Sequence, residues 1–352
     1  MRVTCRTIAQ LERVYSITLL PSAEGNLRPS FLVGSEEDDA LLLFDAPDYQ
    51  PKVIARSPGG YISIQPLIRE GRRYVVATTL FKPGFNGADA AIRLYPLDEG
   101  ECPAGTLVGP QPYTHRLSLF SAGGHEHLLV STLCSGKAEK EDWTQPGGIH
   151  LAVAPDDLSQ PWPTRQIVRG LNKNHGMDFA RLGRAGRSGW LLSAMEGLFF
   201  MPQPDDLAGD WPLETISTEE TSDACAFDWD VDGVPELFSI SPFHGHVLAM
   251  HKCREDGTWD KRVIHDDLSL GHIVWAGKLL GRPGLIAGSR RDRRELRLYR
   301  PAADGSVDPD YEILDTGIGP AQMSVVTDGD RCAALYLSAH GINEVRRYEL
   351  EA

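Results

Sequence analysis

The chain has no CxxC pair, no GxSxG or HExxH motif, no apolar run long enough to cross a bilayer and no excess of positive charge. Each absence excludes something. The six cysteines (Cys5, Cys102, Cys134, Cys225, Cys253 and Cys332) stand singly in 352 residues, so reduced thiols are expected. Without a nucleophile elbow or a zincin helix, hydrolases built on those devices have no support. The longest apolar stretches, such as WLLSAMEGLFFM, fall short of a spanning helix, and no membrane segment is expected. With 35 basic against 49 acidic residues the formal charge is −14, which repels phosphate backbones and anionic lipid. Neither nucleic acid nor a membrane surface is an expected partner. MRVTCRTIAQ lacks the basic start and apolar core of a secretory signal, so the expected compartment is the cytoplasm.

What is present is punctuation. There are 35 glycines and 24 prolines, and turn pairs such as PGG, DG, GG and NG separate short apolar runs. That composition favours many short strands over helices, and a repeat follows from it. A triplet at steps of two recurs seven times: Tyr15, Ile17, Leu19; Gly60, Ile62, Ile64; His115, Leu117, Leu119; His175, Met177, Phe179; Asp223, Cys225, Phe227; His272, Val274, Ala276; Ala321, Met323, Val325. The first members are spaced by 45, 55, 60, 48, 49 and 49 residues, and the step from Ala321 through the chain end and round to Tyr15 is 46. Three further strands follow each triplet, except that the last unit stops at Ala352 without its fourth. MRVTCRTIAQ resembles the fourth strands KVIARS, RQIVRG and KRVIHDD and would complete it. The predicted fold is therefore an all-β, seven-bladed β-propeller of four-stranded blades spanning residues 1–352 as a single domain, with the last blade closed by the N-terminal strand. Innermost strands start near residues 15, 60, 115, 175, 223, 272 and 321.

The second and third members of every triplet are apolar, whereas four of the seven first members are His or Asp: His115, His175, Asp223 and His272. In a propeller these first positions and the loops between second and third strands emerge on one face. Those loops contribute Lys82, Lys137, Asp142, Trp143, His244, His246, Arg290, Arg291 and His340. Histidines gathered from separate blades point to acid–base work or a divalent metal. The expected catalytic set is His115, His175, His244, His272 and Arg290, with His115, His175 and His272 as metal ligands. Lys82, Lys137, Asp142, Trp143, Asp223, His246, Arg291 and His340 are expected to bind substrate. On the opposite face, DWDVDGVPE places Asp228, Asp230, Asp232 and Glu236 around a glycine turn, the spacing for converging oxygens on a structural calcium. Ser239 stands where an EF-hand needs its bidentate Glu, so this is not an EF-hand.

The combination of CSGKAEKEDWTQPGG, KNHGMD, SDACAFDWDVDG, SPFHGH and GPAQMSVVTDGD resembles a bacterial propeller family with repeats of the FG-GAP or VCBS type. More distantly it is similar to the propellers of aldos-2-ulose dehydratase and rhamnose-glucuronate polysaccharide lyases. The resemblance covers all seven units, although only one keeps a full DxDxDG, which departs from a multi-calcium adhesion propeller. It implies metal-assisted elimination on an oxidised sugar or uronate-containing glycoside, carried over to His115, His175, His244 and His272. A small-molecule or oligosaccharide ligand is expected. Two alternatives stay open at this point: a non-catalytic ligand-binding or scaffold propeller, and other metal-dependent sugar chemistry such as isomerisation.

Overall fold

A computed structural model describes residues 1–37, 40–82, 86–102 and 104–352. It contains seven four-stranded antiparallel sheets, the blades of a β-propeller. Blade 1 comprises Val14–Leu19, Phe31–Ser35, Leu41–Phe44 and Pro51–Ala55; blade 2, Ile64–Arg69, Arg72–Thr79, Ala91–Pro96 and Thr106–Pro110; blade 3, Thr114–Ala122, His125–Thr132, Gly147–Val153 and Thr164–Leu171. Blade 4 comprises Gly176–Leu182, Arg187–Ala194, Gly197–Pro202 and Glu214–Ser217; blade 5, Asp223–Phe227, Glu236–Ser241, Val247–Cys253 and Trp259–His265; blade 6, Gly271–Leu279, Arg282–Ser289, Leu296–Pro301 and Val307–Asp315. Blade 7 takes Met323–Asp328, Cys332–Ala339 and Glu344–Glu351 from the C-terminus, and Arg2–Gln10 pairs on Glu344–Glu351 as its outer strand. The missing fourth strand is thus supplied by the N-terminus, as the repeat predicts. The chain divides into two compact units, one of residues Met1–Gly170 with Ala321–Ala352 and one of Leu171–Pro320.

Middle strands are apolar on both faces, because each blade has a neighbour on either side. In Phe31–Ser35 all five residues are buried, and alternate side chains part company. Phe31 and Val33 pack with Ala334, Tyr336 and Val345 of blade 7, while Leu32 packs with Tyr61, Val75 and Tyr95 of blade 2. Outer strands are exposed, as the Arg2–Gln10 strand shows along most of its length. The hairpin joining the first two strands is a two-residue turn with both residues left-handed in three blades: Glu70-Gly71, Gly123-Gly124 and Leu280-Gly281. This is the type I′ geometry that suits the strand twist, and it explains the glycine usage.

Register refines the seven-fold pattern at two units. Tyr15, His115 and His272 each sit at a bulge where the inner strand skips a partner. The equivalent residue of blade 2 is Ile62, since Ser63 already pairs with Thr78; Gly60 lies two residues earlier, and a Cβ there would come within 2.4 Å of the Phe81 amide. In blade 5 the equivalent is Ser222, whose amide donates to Ile240 as that of His175 does to Ser193. Asp223 is one residue further along, which turns its carboxylate sideways.

Blade 7 is pinned to blade 1 by more than the outer strand. Tyr336 Oη donates to the Leu27 carbonyl at 2.9 Å, meets Tyr49 Oη at 3.0 Å and accepts from Arg347 Nε at 3.1 Å. Burial pushes the Tyr49 phenol well above its usual range. Tyr336→Phe leaves those buried partners incomplete and should lower stability by about 1–3 kcal/mol in urea unfolding; a change below about 0.5 kcal/mol would remove the network from the closure. Deleting residues 1–10 strips the outer strand and bares the Glu344–Glu351 edge, so the truncated protein is expected to aggregate or to melt well below the parent. Equal melting temperatures would show that the last blade does not need its N-terminal strand.

Candidate functional site

In the unit Leu171–Pro320 three histidines meet. His175 ends the approach to blade 4 and is fully buried. The residue after it is Gly176, where a Cβ would lie 2.9 Å from both Asp223 Cα and the Ser222 carbonyl oxygen. Only a bare glycine lets the inner strands of blades 4 and 5 approach so closely, and that approach sets the Asp223 carboxylate 2.8 Å from His175 Nδ1. His244 comes from the Ser241–His246 turn between the second and third strands of blade 5. Its φ is 49°, the left-handed region in which histidine is unusual but tolerated. Gly245 allows the turn to fold on itself, since a Cβ would meet Pro242 N at 2.4 Å. The Gly245 carbonyl accepts from the Gly271 amide at 2.8 Å, and this ties the turn to the start of blade 6, where His272 sits at its bulge.

His175 Nε2 and His244 Nε2 are 3.1 Å apart. The rings of His175 and His272 lie edge to face at 5.2 Å, and those of His244 and His272 stack at 5.2 Å with their planes inclined by 29°. One ring nitrogen from each of the three falls within 4.8 Å of the others. Two nitrogens bound to one zinc-sized ion at about 2.0–2.1 Å stand about 3.0–3.4 Å apart, so the His175–His244 separation fits a shared metal. An all-imidazole set suits zinc, copper, iron or nickel better than magnesium or calcium. Asp223 accepts a hydrogen bond from His175 Nδ1–H, which leaves the Nε2 lone pair for the other two histidines. Phe243 stacks on His244 at 4.1 Å and meets His175 edge on at 5.4 Å, walling the cluster with apolar surface.

Asp178 lies on the same inner strand as Gly176, and its side chain is reached by water. Surrounding protein, together with the Asp223 charge, nevertheless pushes its carboxyl up to about 7. Phe243, Ser222 and Asp178 were not singled out by the sequence, since an aromatic beside a histidine and an Asp inside an alternating strand carry no spacing signal.

The other expected residues are distributed as follows. His115 belongs to the unit formed by Met1–Gly170 and Ala321–Ala352 and lies among apolar groups: Tyr15 Oη is 3.5 Å from its Nε2, and Phe81 meets its ring edge on. Tyr15, Ile62, Phe81, Leu133 and Ala321 form a buried cluster there, with Trp143 packed against it. His340 pairs with Glu36 at 2.6 Å, and Arg13 meets the same carboxylate at 2.7 Å. The long insertion in blade 3 folds on itself. Asp142 accepts from the Thr144 hydroxyl and the Ala138 and Thr144 amides, bonds that hold its carboxyl down to about 2. Lys137 donates to the Lys140 carbonyl and lies 3.2 Å above the Trp143 ring. Lys82 bridges to Asn86 through the backbone, and residues 83–85 of that insertion lie outside the described residues. His246 is exposed on the blade 5 turn. The Arg290 and Arg291 amides donate to Leu270 and Ser269, so both residues run beside the segment leading to His272.

At the other end of blade 5, between its first two strands, Asp228, Asp230 and Glu236 bring one oxygen each within 4.8 Å of the others. Lys252 reaches the same group, with its ammonium on Asp230, Asp232 and Glu236.

No family model matches the sequence, and no curated protein matches it. Solved structures do match in fold. The WD40 β-propeller domain of Doa1 is 13% identical over 99% of this chain and 98% of that one, with a TM-score of 0.58. An ancestral GH74 enzyme is 12% identical with a TM-score of 0.60; the match covers 97% of this chain but 48% of the enzyme. A protein of unknown function from Dyadobacter fermentans DSM 18053 is 14% identical over 82% of this chain and 93% of that one, with a TM-score of 0.51. At such identities the likeness establishes one thing: the chain has the β-propeller fold.

Proposed function

We propose that His175, His244 and His272 hold a first-row divalent metal, and that the protein is a metal-dependent carbon–oxygen lyase or dehydratase acting on an oxidised sugar or uronate-containing glycoside. The observation that carries this reading is the 3.1 Å approach of two imidazole nitrogens whose partner, Asp223, fixes the tautomer. An enzyme among the proteins of like fold is consistent with catalysis on this architecture, though fold alone assigns no activity. When bound, the metal supplies positive charge to the carbonyl or carboxylate oxygen next to the carbon that loses its proton. The chain supplies the rest. Asp223 orients His175, and Phe243 keeps water from one side of the cluster. With the histidines engaged as ligands, proton transfer falls to Asp178, three residues beyond His175 on the inner strand of blade 4, whose carboxyl is pushed up by the surrounding protein and the Asp223 charge. Elimination removes the proton α to the carboxylate, expels the β-oxygen with a proton added, and leaves a carbon–carbon double bond.

Metal content tests the first half. The purified protein, or the protein reconstituted with zinc, copper, iron or nickel after chelation, is expected to bind one transition metal per chain by plasma mass spectrometry. His175→Ala and His272→Ala should abolish that binding, and Asp223→Asn should weaken it by about 10–100-fold. Stoichiometry unchanged in all three variants would remove the cluster from metal binding.

Activity tests the second half. Unsaturated product is followed by ultraviolet absorbance over a panel of uronate- and ketose-containing glycosides. Asp178→Asn should cut turnover by about 10²–10⁴-fold. Because a carboxyl raised by the surrounding protein and a neighbouring charge destabilises the fold at neutral pH, the neutral amide should not lower the melting temperature and should raise it. A metal-loaded parent that binds sugars from the panel and transforms none would favour a binding propeller.

A further inference from the structure

We infer that the Asp228–Glu236 loop is a cation site filled by the protein's own Lys252, and that blade 5 is for this reason independent of calcium. The loop has the carboxylate spacing of a calcium turn, and its backbone is folded as one. The Gly233 amide donates to Asp228 Oδ2 at 3.1 Å, the Val234 amide to Asp232 Oδ1 at 2.8 Å and the Trp229 amide to Glu236 Oε2 at 2.9 Å. Each of these carboxylates thereby keeps one oxygen for a central cation. Lys252 takes most of those positions: its ammonium donates to Asp230 Oδ2, to Glu236 Oε1 at 2.9 Å and to Asp232 Oδ2 at 3.4 Å.

Its place is set by register. The pairing of Leu237 with His251 brings Lys252 alongside Glu236, so the ammonium enters from the adjoining strand rather than from a mobile loop. Glu236 is 2% exposed, and a buried carboxylate without a counter-charge is costly. Burial works against the Lys252 charge, but the hydrogen bonds to Asp230 and Glu236 outweigh it and raise its pKa. Calcium needs about six to eight oxygens at once. It cannot gather them while three are engaged by an ammonium that is covalently part of the blade. Asp228 Oδ1 is the one buried oxygen of the group without a hydrogen-bond partner among the described residues, which leaves a latent ligand should the lysine be removed.

Terbium reads the site, because Trp229 is part of the loop and can sensitise emission from a lanthanide held by Asp228 and Asp230. The wild-type protein is expected to show no sensitised emission at micromolar terbium and the same melting temperature in calcium as in EDTA. Lys252→Met should melt several degrees lower in EDTA, recover that loss in calcium, and gain emission that Asp228→Asn in the same background abolishes. A Lys252→Met protein that folds only when calcium is present supports the inference equally. Tight terbium emission or a calcium-dependent melting shift in the wild type would overturn it, and so would a folded Lys252→Met variant blind to both ions. None of these measurements depends on the histidine cluster, so they stand whatever that cluster does.

Discussion

The constraint behind this structure is that the middle strands of a blade cannot be satisfied by their own sheet. Leu41–Phe44 is apolar and buried at every position, and Phe31–Ser35 beside it is buried throughout. Side chains on one face of a blade need one neighbour and those on the other face need a second. Blade 1 shows both debts settled, with Phe31, Val33 and Phe44 against blade 7 and Leu32, Leu41 and Leu43 against blade 2. A sheet of this kind has no stable solitary form. Its two apolar faces each remove several large side chains from water at about 25 cal/mol per Å², and exposing either face would forfeit that gain. The seventh blade therefore has to be completed, and the N-terminal strand Arg2–Gln10 does so against Glu344–Glu351.

Because packing demands apolar residues at fixed places on every inner strand, the strand beginnings are where chemistry can vary. Tyr15, Ile62 and Ala321 fill this position with apolar bulk and join one buried cluster with Phe81 and Leu133. His175 and His272 fill it with imidazoles, and Ser222 leaves it small. The small residue matters. With Ser222 in that place and Gly176 opposite, Asp223 can reach across to His175, and His244 can enter from its own turn. A bulky residue at either position would hold the two inner strands apart and break the carboxylate–imidazole–imidazole line.

Spacing made the blades legible in the sequence, and with them the positions of the three histidines that converge. The repeat, the closure and the identity of His175, His244 and His272 follow from spacing, since apolar periodicity fixes the strands and the loops between them. His115, expected to share in the same site, has Tyr15 and Phe81 as neighbours in its own unit, an environment set by aromatic residues from other blades that no local spacing encodes. Asp142 and Lys137 were expected at a substrate because their loop emerges on the same face as the first positions of the inner strands. They also fold that insertion, with Asp142 capping Ala138 and Thr144 and Lys137 resting on Trp143. Short polar side chains close their own turns before they reach for anything else.

Blade 5 carries two clusters that could draw a cation, at opposite ends, and donor chemistry separates them. The histidine end offers neutral nitrogen donors, one oriented by Asp223, and no carboxylate among the three groups that converge. A divalent ion there would keep nearly its full charge, which is what stabilising an oxyanion requires, and it would favour an anionic ligand for the same reason. The acidic end offers hard oxygens in excess of any single charge, and the fold has already answered with an ammonium from the neighbouring strand. A cation placed for structure is best supplied by the chain, since a covalently held lysine cannot be lost by dilution or chelation. A cation placed for chemistry must keep sites open to a substrate, and no side chain can do that.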